Sequence, residues 1–371
     1  MKICMIGPTY PFRGGISHYT TFLYQHLKKK HDVELFSFKR QYPMWLYPGK
    51  TDRDPSKRPI EAIGEKKCFD VLNPLSWMII AHKINQNKPD VLIIPWWVSF
   101  FGPPFGLISF LIRHFSKTKI MFICHNVHGH EATSIDDWVT HFVLRNAHAC
   151  IVHSTEDERL LRLMCKDVQI YKTAHPNYRG FVVHQKSPYR FTSRPIKRLL
   201  FFGYVRQYKG LMYLLEALPE VLSKQEVQLF IVGEFWKDKT EYLRKIEHLG
   251  IQNHVVIIDR YVPNEDIPMY FESADVVVQP YISGTGSGVV QMAFAFNTPV
   301  VATTVGDLKE VISHGKTGFL VPPKNPQALA QAILDSLTEE NQKKIRANIM
   351  NENDTCSWEK LGNIIEEFIL N

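Results

Sequence analysis

Arg206 and Lys209 stand three positions apart in FFGYVRQYKG (residues 201–210), between an apolar run and a helical pattern that starts after Gly210. Two cations fixed at the end of a strand suit a diphosphate, because they can neutralise the charge that builds on it as it leaves. A basic surface loop would carry the same residues. A second stretch, QPYISGTGSGVVQMAFAFNTPVVAT (residues 279–303), places Gly284, Gly286 and Gly288 between an apolar run and a helix. That layout suits a phosphate loop. Yet no lysine follows the glycines, and no acidic residue lies between Asp275 and Asp307. A glycine turn at a helix N-terminus binds an anion through its backbone N–H groups and needs no lysine. The amides of Gly286, Ser287, Gly288 and Val289 are therefore expected to hold a diphosphate from one side, with Arg206 and Lys209 on the other. A tight turn without a ligand is the alternative. A Walker A loop is excluded by spacing, since the Gly-Lys-Thr of HGKTG (residues 314–318) would need its earlier glycine at Glu310.

Two further clusters have the right residue types for chemistry. ICHNVHGHE (residues 123–131) offers His125, His128, His130 and Glu131, but without a clean ligand frame for a metal. No metal site is expected. Trp96, Trp97, Phe100 and Phe101 form an aromatic group after a strand. Core packing explains them, and a platform for an acceptor is the alternative.

These residues need elements to position them. KICMIG, DVELFSF, DVLIIPWW, KIMFICH and ACIVHS read as buried parallel strands, with helical stretches between. The pattern restarts near residue 197 with the strand KRLLFFGYV and the helix GLMYLLEALPEVLSKQ, in which Leu211, Leu214, Leu215, Leu218 and Leu222 form a core-facing stripe. VQLFIVGE, HVVIID, DVVVQPY and TPVVATT follow as strands. Strands alternating with helices, twice over, predict an α/β protein with two doubly wound domains. The expected division is residues 1–185 and 186–355, with the link in the Pro-rich stretch 174–195. A crevice at the carboxyl ends of the strands of two such domains is the expected ligand site.

Length and composition agree with this organisation. The chain has 371 residues, more than one core normally holds, and 45% of them are hydrophobic and 22% charged. The formal charge of +7 is uneven: residues 1–185 hold 24 Lys and Arg against 15 acids, and the remainder 20 against 22. The basic excess sits at Lys28–Lys30, Lys39, Arg40, Arg53, Lys57, Arg58, Lys66 and Lys67. It reads as solvated surface, or as a face that meets an anionic membrane or a phosphorylated acceptor. No nucleic-acid motif is present. Cys4, Cys68, Cys124, Cys150, Cys165 and Cys356 include no CxxC pair and fit buried thiols in a reducing, cytoplasmic compartment. The uncharged run Val91–Ile112 is long enough for a membrane span. Pro95 and the Pro103-Pro104 pair break it instead into a strand, a loop and a helix.

At this point the chain resembles a known family. GGISHYTTFLYQHL, FFGYVRQYKG, LFIVGE, DRYVPNEDIPMYFESADVVVQPY, PVVATTVGDLKEVISHGKTGFLVPPKNPQALAQAI and SWEKLGNIIEEFI together resemble the retaining, two-Rossmann-domain (GT-B) glycosyltransferases of group 1, family 4. The resemblance covers nearly the whole length. It implies a metal-independent enzyme without a cofactor that moves a sugar from a nucleoside diphosphate sugar to a hydroxyl of a glycan or lipid-linked acceptor. Polysaccharide or cell-envelope biosynthesis, in the cytoplasm or peripherally at the inner face of the membrane, would be its setting. It further implies that Gly14 and Gly15 lie beneath the donor phosphates and that Gly203, Gly233, Glu234, Tyr261 and Val262 lie along the donor. His125 would stand beside the sugar, and the final helix, residues 356–371, would cross back to the first domain.

One departure stands out. Aligned on Pro299, the family's two glutamates around the glycine turn fall at Gly284 and Met292. In the family they hold sugar hydroxyls and ribose. Ser283, Thr285, Ser287 and Gln291 are the substitutes at hand. A non-catalytic sugar-nucleotide-binding partner of another transferase is the alternative this departure opens. A nucleotide-sugar epimerase of the same fold would need acids near the sugar, and a phosphorylase a pyridoxal-binding lysine motif.

Overall fold

The computed structural model describes residues 1–43, 51–127, 133–184, 196–236, 238–284, 286–352 and 357–371. Among them the chain forms two compact units. The first comprises residues 1–54, 59–175 and 357–371; the second, residues 55–58 and 176–356.

The first unit is built on seven parallel strands: β1 (Lys2–Ile6), β2 (Asp32–Arg40), β3 (Lys66–Asp70), β4 (Val91–Trp96), β5 (Lys119–Cys124), β6 (Ala149–Val152) and β7 (Gln169–Lys172). Their order is β3-β2-β1-β4-β5-β6-β7, so it reverses between β1 and β4. The helices α1 (Gly15–Leu27), α2 (Pro74–Asn87), α3 (Gly102–Phe115), α4 (Ser134–Leu144) and α5 (Thr155–Met164) connect them. Strand β4 is buried along its whole length, as expected for a central parallel strand covered on both faces. The run Val91–Ile112 is this strand, a short turn and α3, which starts with prolines in its first turn. Among the described residues no helix is long and apolar enough to cross a membrane. Trp96 and Phe101 are buried in the core under α2, α3 and α4, which is the packing alternative for the aromatic group.

The second unit repeats the plan with six parallel strands: β8 (Lys197–Phe202), β9 (Val227–Val232), β10 (Val255–Ile258), β11 (Val276–Gln279), β12 (Val300–Thr303) and β13 (Gly318–Val321). The order is β10-β9-β8-β11-β12-β13, reversing between β8 and β11. Its helices are α6 (Arg179–His184), α7 (Leu211–Leu222), α8 (Thr240–His248), α9 (Ile267–Ser273), α10 (Gly288–Ala295), α11 (Leu308–Val311), α12 (Pro326–Leu337) and α13 (Glu339–Glu352). The stripe Leu211, Leu214, Leu215 and Leu218 on α7 is buried, as its spacing predicts.

The sequence put the division at 185/186; the structure puts it at 175/176. Tyr178 and Phe181 are buried in the second unit, where α6 packs on α9 and α10, so the chain has already joined that core before the Pro-rich stretch ends. After α13 the chain returns to the first unit as α14 (Trp358–Leu370). Leu361, Ile365 and Phe368 share a core with Tyr19, Leu23 and Leu27 of α1. Gly362 faces α1 so closely that a Cβ there would stand 2.9 Å from His26 Nε2. Ile365 is fully buried, so Ile365→Ala is expected to destabilise the first unit by about 2–4 kcal/mol. Thermal melting followed by circular dichroism checks this, and an unchanged melt would show that α14 is only laid on the surface.

Candidate functional site

In the second unit the order of the sheet sets the site. Strands β8 and β11 are neighbours at the point where the strand order reverses, so the loops leaving their carboxyl ends lie side by side. After β8 come Gly203, Arg206 and a 3₁₀ turn, Gln207–Lys209, ended by Gly210. After β11 comes the glycine loop, and α10 begins at Gly288.

Backbone holds these loops together at close quarters. Gly210 has φ +67°, and a Cβ there would stand 1.9 Å from Pro280 O. Gly233, at the end of β9, would place a Cβ 2.0 Å from Gly203 O. Tyr208 O accepts from Ile282 N–H at 2.7 Å, and Val205 N–H donates to Glu234 O at 2.9 Å. Glycine is required at 203, 210 and 233, and a stiff frame results.

Lys209 is buried within this frame. A Cβ at Gly203 would stand 3.2 Å from its Nζ and 3.6 Å from Val289. The ammonium lies 5.3 Å from the centre of the Tyr281 ring. No carboxylate pairs with it among the described residues. Burial lowers its pKa from the usual lysine range, and Arg206 adds to the lowering. The Arg206 guanidinium lies over Trp236 at 4.5 Å and Tyr208 at 5.2 Å. Thus Arg206, Lys209, Gly203 and Val289 do come together.

The glycine loop differs in detail from its expected form. Of its three glycines only Gly284 has a positive φ, +148°. Gly286 is needed for space instead: a Cβ there would stand 2.6 Å from Asp307 Oδ2. Gly288 has room, its nearest neighbour being the Tyr178 ring at 3.6 Å. Ser287 Oγ is within hydrogen-bond range of Tyr281 Oη at 3.1 Å and donates to Gln279 Oε1 at 3.5 Å. Thr303 Oγ1 donates to Tyr281 O at 2.7 Å. Burial, with Asp307 adding, raises the Tyr281 hydroxyl pKa, so it stays protonated. Helix α10 has no side-chain cap, and Val290 N–H already donates to Ser287 O, so the turn's remaining amides are those of Gly286 to Val289. Gln291 is buried one turn along. Val262 is buried, and Tyr261 half-buried, in the loop after β10. Thr285 lies outside the described residues.

Asp307 is the residue that sequence reasoning missed. It is buried after β12, beside a loop that otherwise has no acid. The one available signal was that it ends the acid-free interval of the sequence. Glu310 is exposed on α11.

The first unit gathers a different set. Gly14 has φ +113° and open space where a Cβ would be, and Gly15 starts α1. His125 follows β5, its N–H donating to Trp96 O at 2.8 Å. Its ring meets Tyr19 edge-on at 4.5 Å and lies 5.9 Å from His153 and 6.2 Å from His175. His125 Nε2 is buried and has no hydrogen-bond partner. Burial holds the His125 pKa well below the usual range, so the ring is neutral. His153 Nδ1 donates to Thr173 O at 3.0 Å, which leaves Nε2 to accept from Tyr19 Oη at 3.2 Å. Sequence reasoning missed His153, His175 and Tyr19, because they stand on separate elements. His128, His130 and Glu131 lie outside the described residues. Among those described, no group of three or more His, Cys, Asp or Glu is placed to hold a metal.

Residues 196–339 match the family model of glycosyl transferases group 1. This stretch of the chain is thus similar to the group 1 glycosyl transferases. It holds the second-unit site residues described above, Tyr178 apart. An uncharacterized glycosyltransferase of Methanocaldococcus jannaschii is 36% identical over 138 residues, which is 37% of this chain and only 35% of that relative's length. The spore coat protein SA of Bacillus subtilis is 25% identical over 93% of this chain and 92% of its own. Among solved structures, Anabaena HepE in complex with UDP superposes with a TM-score of 0.74 at 16% identity, covering 100% of this chain and 99% of that one. The fold is thus that of the GT-B glycosyltransferases, two parallel-sheet α/β domains.

Two outcomes follow, one for each unit. Gly286→Ala is expected to displace Asp307 and weaken nucleoside diphosphate binding about tenfold or more, whereas Gly288→Ala binds within about twofold of the parent. Calorimetric titration checks both, and equal affinities would reduce the loop to a plain turn. In the first unit, burial lowers the His153 pKa to about 4. The unfolded chain takes up this proton near pH 6.5, so the contribution is complete above that pH and is lost as pH falls toward 4. The expected slope from this buried ring is about 1.4 kcal/mol per pH unit. Melting curves of the parent and His153→Gln across this window check it, the variant falling less steeply.

Proposed function

We propose that the chain is a retaining glycosyltransferase that takes a sugar from a nucleoside diphosphate sugar and delivers it to a hydroxyl of a glycan or lipid-linked acceptor. Polysaccharide or cell-envelope biosynthesis is the setting, with the protein cytoplasmic or peripheral at a membrane. The observation that carries the reading is Lys209, a buried cation without a carboxylate partner among the described residues, beside Gly203 and the start of α10. A buried charge of this kind favours an anionic ligand. Anabaena HepE was solved with UDP-glucose, which makes a UDP sugar the first donor to test.

In the proposed reaction the bond between the sugar's anomeric carbon and the diphosphate breaks. Arg206, Lys209 and the Gly286–Val289 amides take up the charge on the departing group. The acceptor oxygen bonds to the same face of that carbon, and its proton passes to an oxygen of the leaving phosphate. The chain's own cations and amides supply the positive charge, so the proposed reaction uses neither a metal nor a cofactor. In this reading the neutral His125 uses its unpartnered Nε2 to accept from a sugar hydroxyl. Asp307 can accept from sugar hydroxyls in place of the glutamates absent at Gly284 and Met292. That absence is also what favours the second reading, a protein that binds the sugar nucleotide without transferring it.

Release of free nucleotide from a panel of sugar nucleotides plus acceptor separates the two. Binding without release under any acceptor would favour the second. Arg206→Ala and Lys209→Ala are expected to lower turnover about 10²–10³-fold, the range for losing one preorganised group that stabilises transition-state charge. Turnover near that of the parent in both variants would remove them from the reaction.

A further inference from the structure

Lys209 is fixed by burial and by the backbone around it, whereas Arg206 is placed differently. It is half-buried, and its backbone is extended, at φ −128° and ψ 153°, just ahead of the turn Gln207–Lys209. A long arginine side chain at such a place has many rotamers open to it. Aromatic rings narrow that choice here. The guanidinium lies over the Trp236 ring at 4.5 Å and over the Tyr208 ring at 5.2 Å. Among the aromatic side chains, indole attracts a cation to its face most strongly. A ring against the guanidinium face holds it without drawing on the N–H donors in its plane, whereas a carboxylate holds it through those donors.

Trp236 is itself held by its neighbours. Its N–H donates to Val205 O at 3.2 Å, and Val205 N–H donates to Glu234 O at 2.9 Å, so the loop after β9 is bound to the loop after β8 right beside Arg206. Phe235 N–H donates to Asp259 Oδ1 at 3.1 Å, and Lys239 Nζ pairs with Asp259 Oδ2 at 2.9 Å. Asp259 follows β10, so one carboxylate clasps the β9 loop on both sides of Trp236. The Tyr204 ring meets the indole at 5.3 Å and 86°, and the Tyr242 ring meets Phe235 at 5.5 Å and 69°. The strand order β10-β9-β8 sets the three loops in a row. Position is therefore passed from Asp259 to Trp236 and from Trp236 to Arg206, all within the second unit.

We propose that Trp236 is a positioning residue of the anion site: its ring fixes the Arg206 guanidinium so that the N–H groups in the guanidinium plane face the diphosphate of a bound nucleotide. The inference rests on the reading of this site as one for a nucleoside diphosphate. A planar fork held in place matches two phosphate oxygens at once and loses little freedom when it binds them. An indole at a strand end could instead stack directly on a ring of the ligand. The guanidinium at 4.5 Å and Tyr204 at a right angle already engage it, which favours action through Arg206.

The test is a double-mutant cycle read by calorimetric titration. UDP, GDP, ADP and dTDP are first titrated into the parent chain, and the tightest of them is the probe. Trp236→Leu and Arg206→Gln are each expected to weaken the probe about tenfold, and the two together no more than about twofold beyond Arg206→Gln alone, because the ring acts only through the guanidinium. Trp236→Phe, which keeps a π face, should bind within about threefold of the parent. Trp236→Gln, a polar residue suited to a half-buried position, gives the same comparison if the leucine variant melts early. The inference is overturned if Trp236→Leu and Trp236→Gln bind as the parent does. It is equally overturned if their loss is as large in the Arg206→Gln background, which would mean that the indole packs the loop or touches the ligand itself. Failure of the parent to bind any of the four nucleotides would instead overturn the reading of the site, and this inference with it.

Discussion

The close backbone contact between the loops after β8, β9 and β11 is the constraint on which the rest of the second unit depends. Gly203, Gly210 and Gly233 let these turns meet without intervening side chains. With the turns locked, Lys209 cannot swing out to water as a surface lysine would, and its charge is held in a fixed place at a desolvation cost. Tyr281, Ser287 and Thr303 then tie the glycine loop to the same frame through short hydrogen bonds. The arrangement gives up local stability to hold a positive charge in a fixed place.

The strands and helices nearest the site were the most legible part of the sequence. Strands β1, β4, β5, β8, β9, β11 and β12 are buried centrally and announce themselves as short apolar runs. Strands β3 and β7 gave no such signal. They lie at sheet edges, where fewer residues face a core, and KKCFD and QIYK accordingly hold few apolar residues. The domain boundary was misplaced for a related reason. Proline content marks where regular structure weakens, whereas Tyr178 and Phe181 mark where the chain joins a core, and the two need not coincide.

The candidate site was legible where its residues are consecutive, as at Arg206–Lys209 and the glycine loop. It was hidden where its residues come from separate elements. Asp307 reaches Gly286 from the next loop, and His125, His153, His175 and Tyr19 converge from separate parts of the chain. The three glycines of the loop also differ in what they do: the backbone demands glycine at Gly284, space demands it at Gly286, and neither does at Gly288.

The return of α14 to the first unit has a consequence for how the protein is made. During synthesis a ribosome delivers the strands of the first unit early, yet the core they share with α1 also takes in Leu361, Ile365 and Phe368, which emerge only after residues 176–356. The second unit, whose residues 176–356 emerge before them, can complete its own core while the first still exposes the apolar face of α1. The nascent chain therefore carries an open hydrophobic groove through most of translation. That vacancy closes only when α14 is free of the exit tunnel, which makes the first unit the later of the two to mature although its strands are synthesised first.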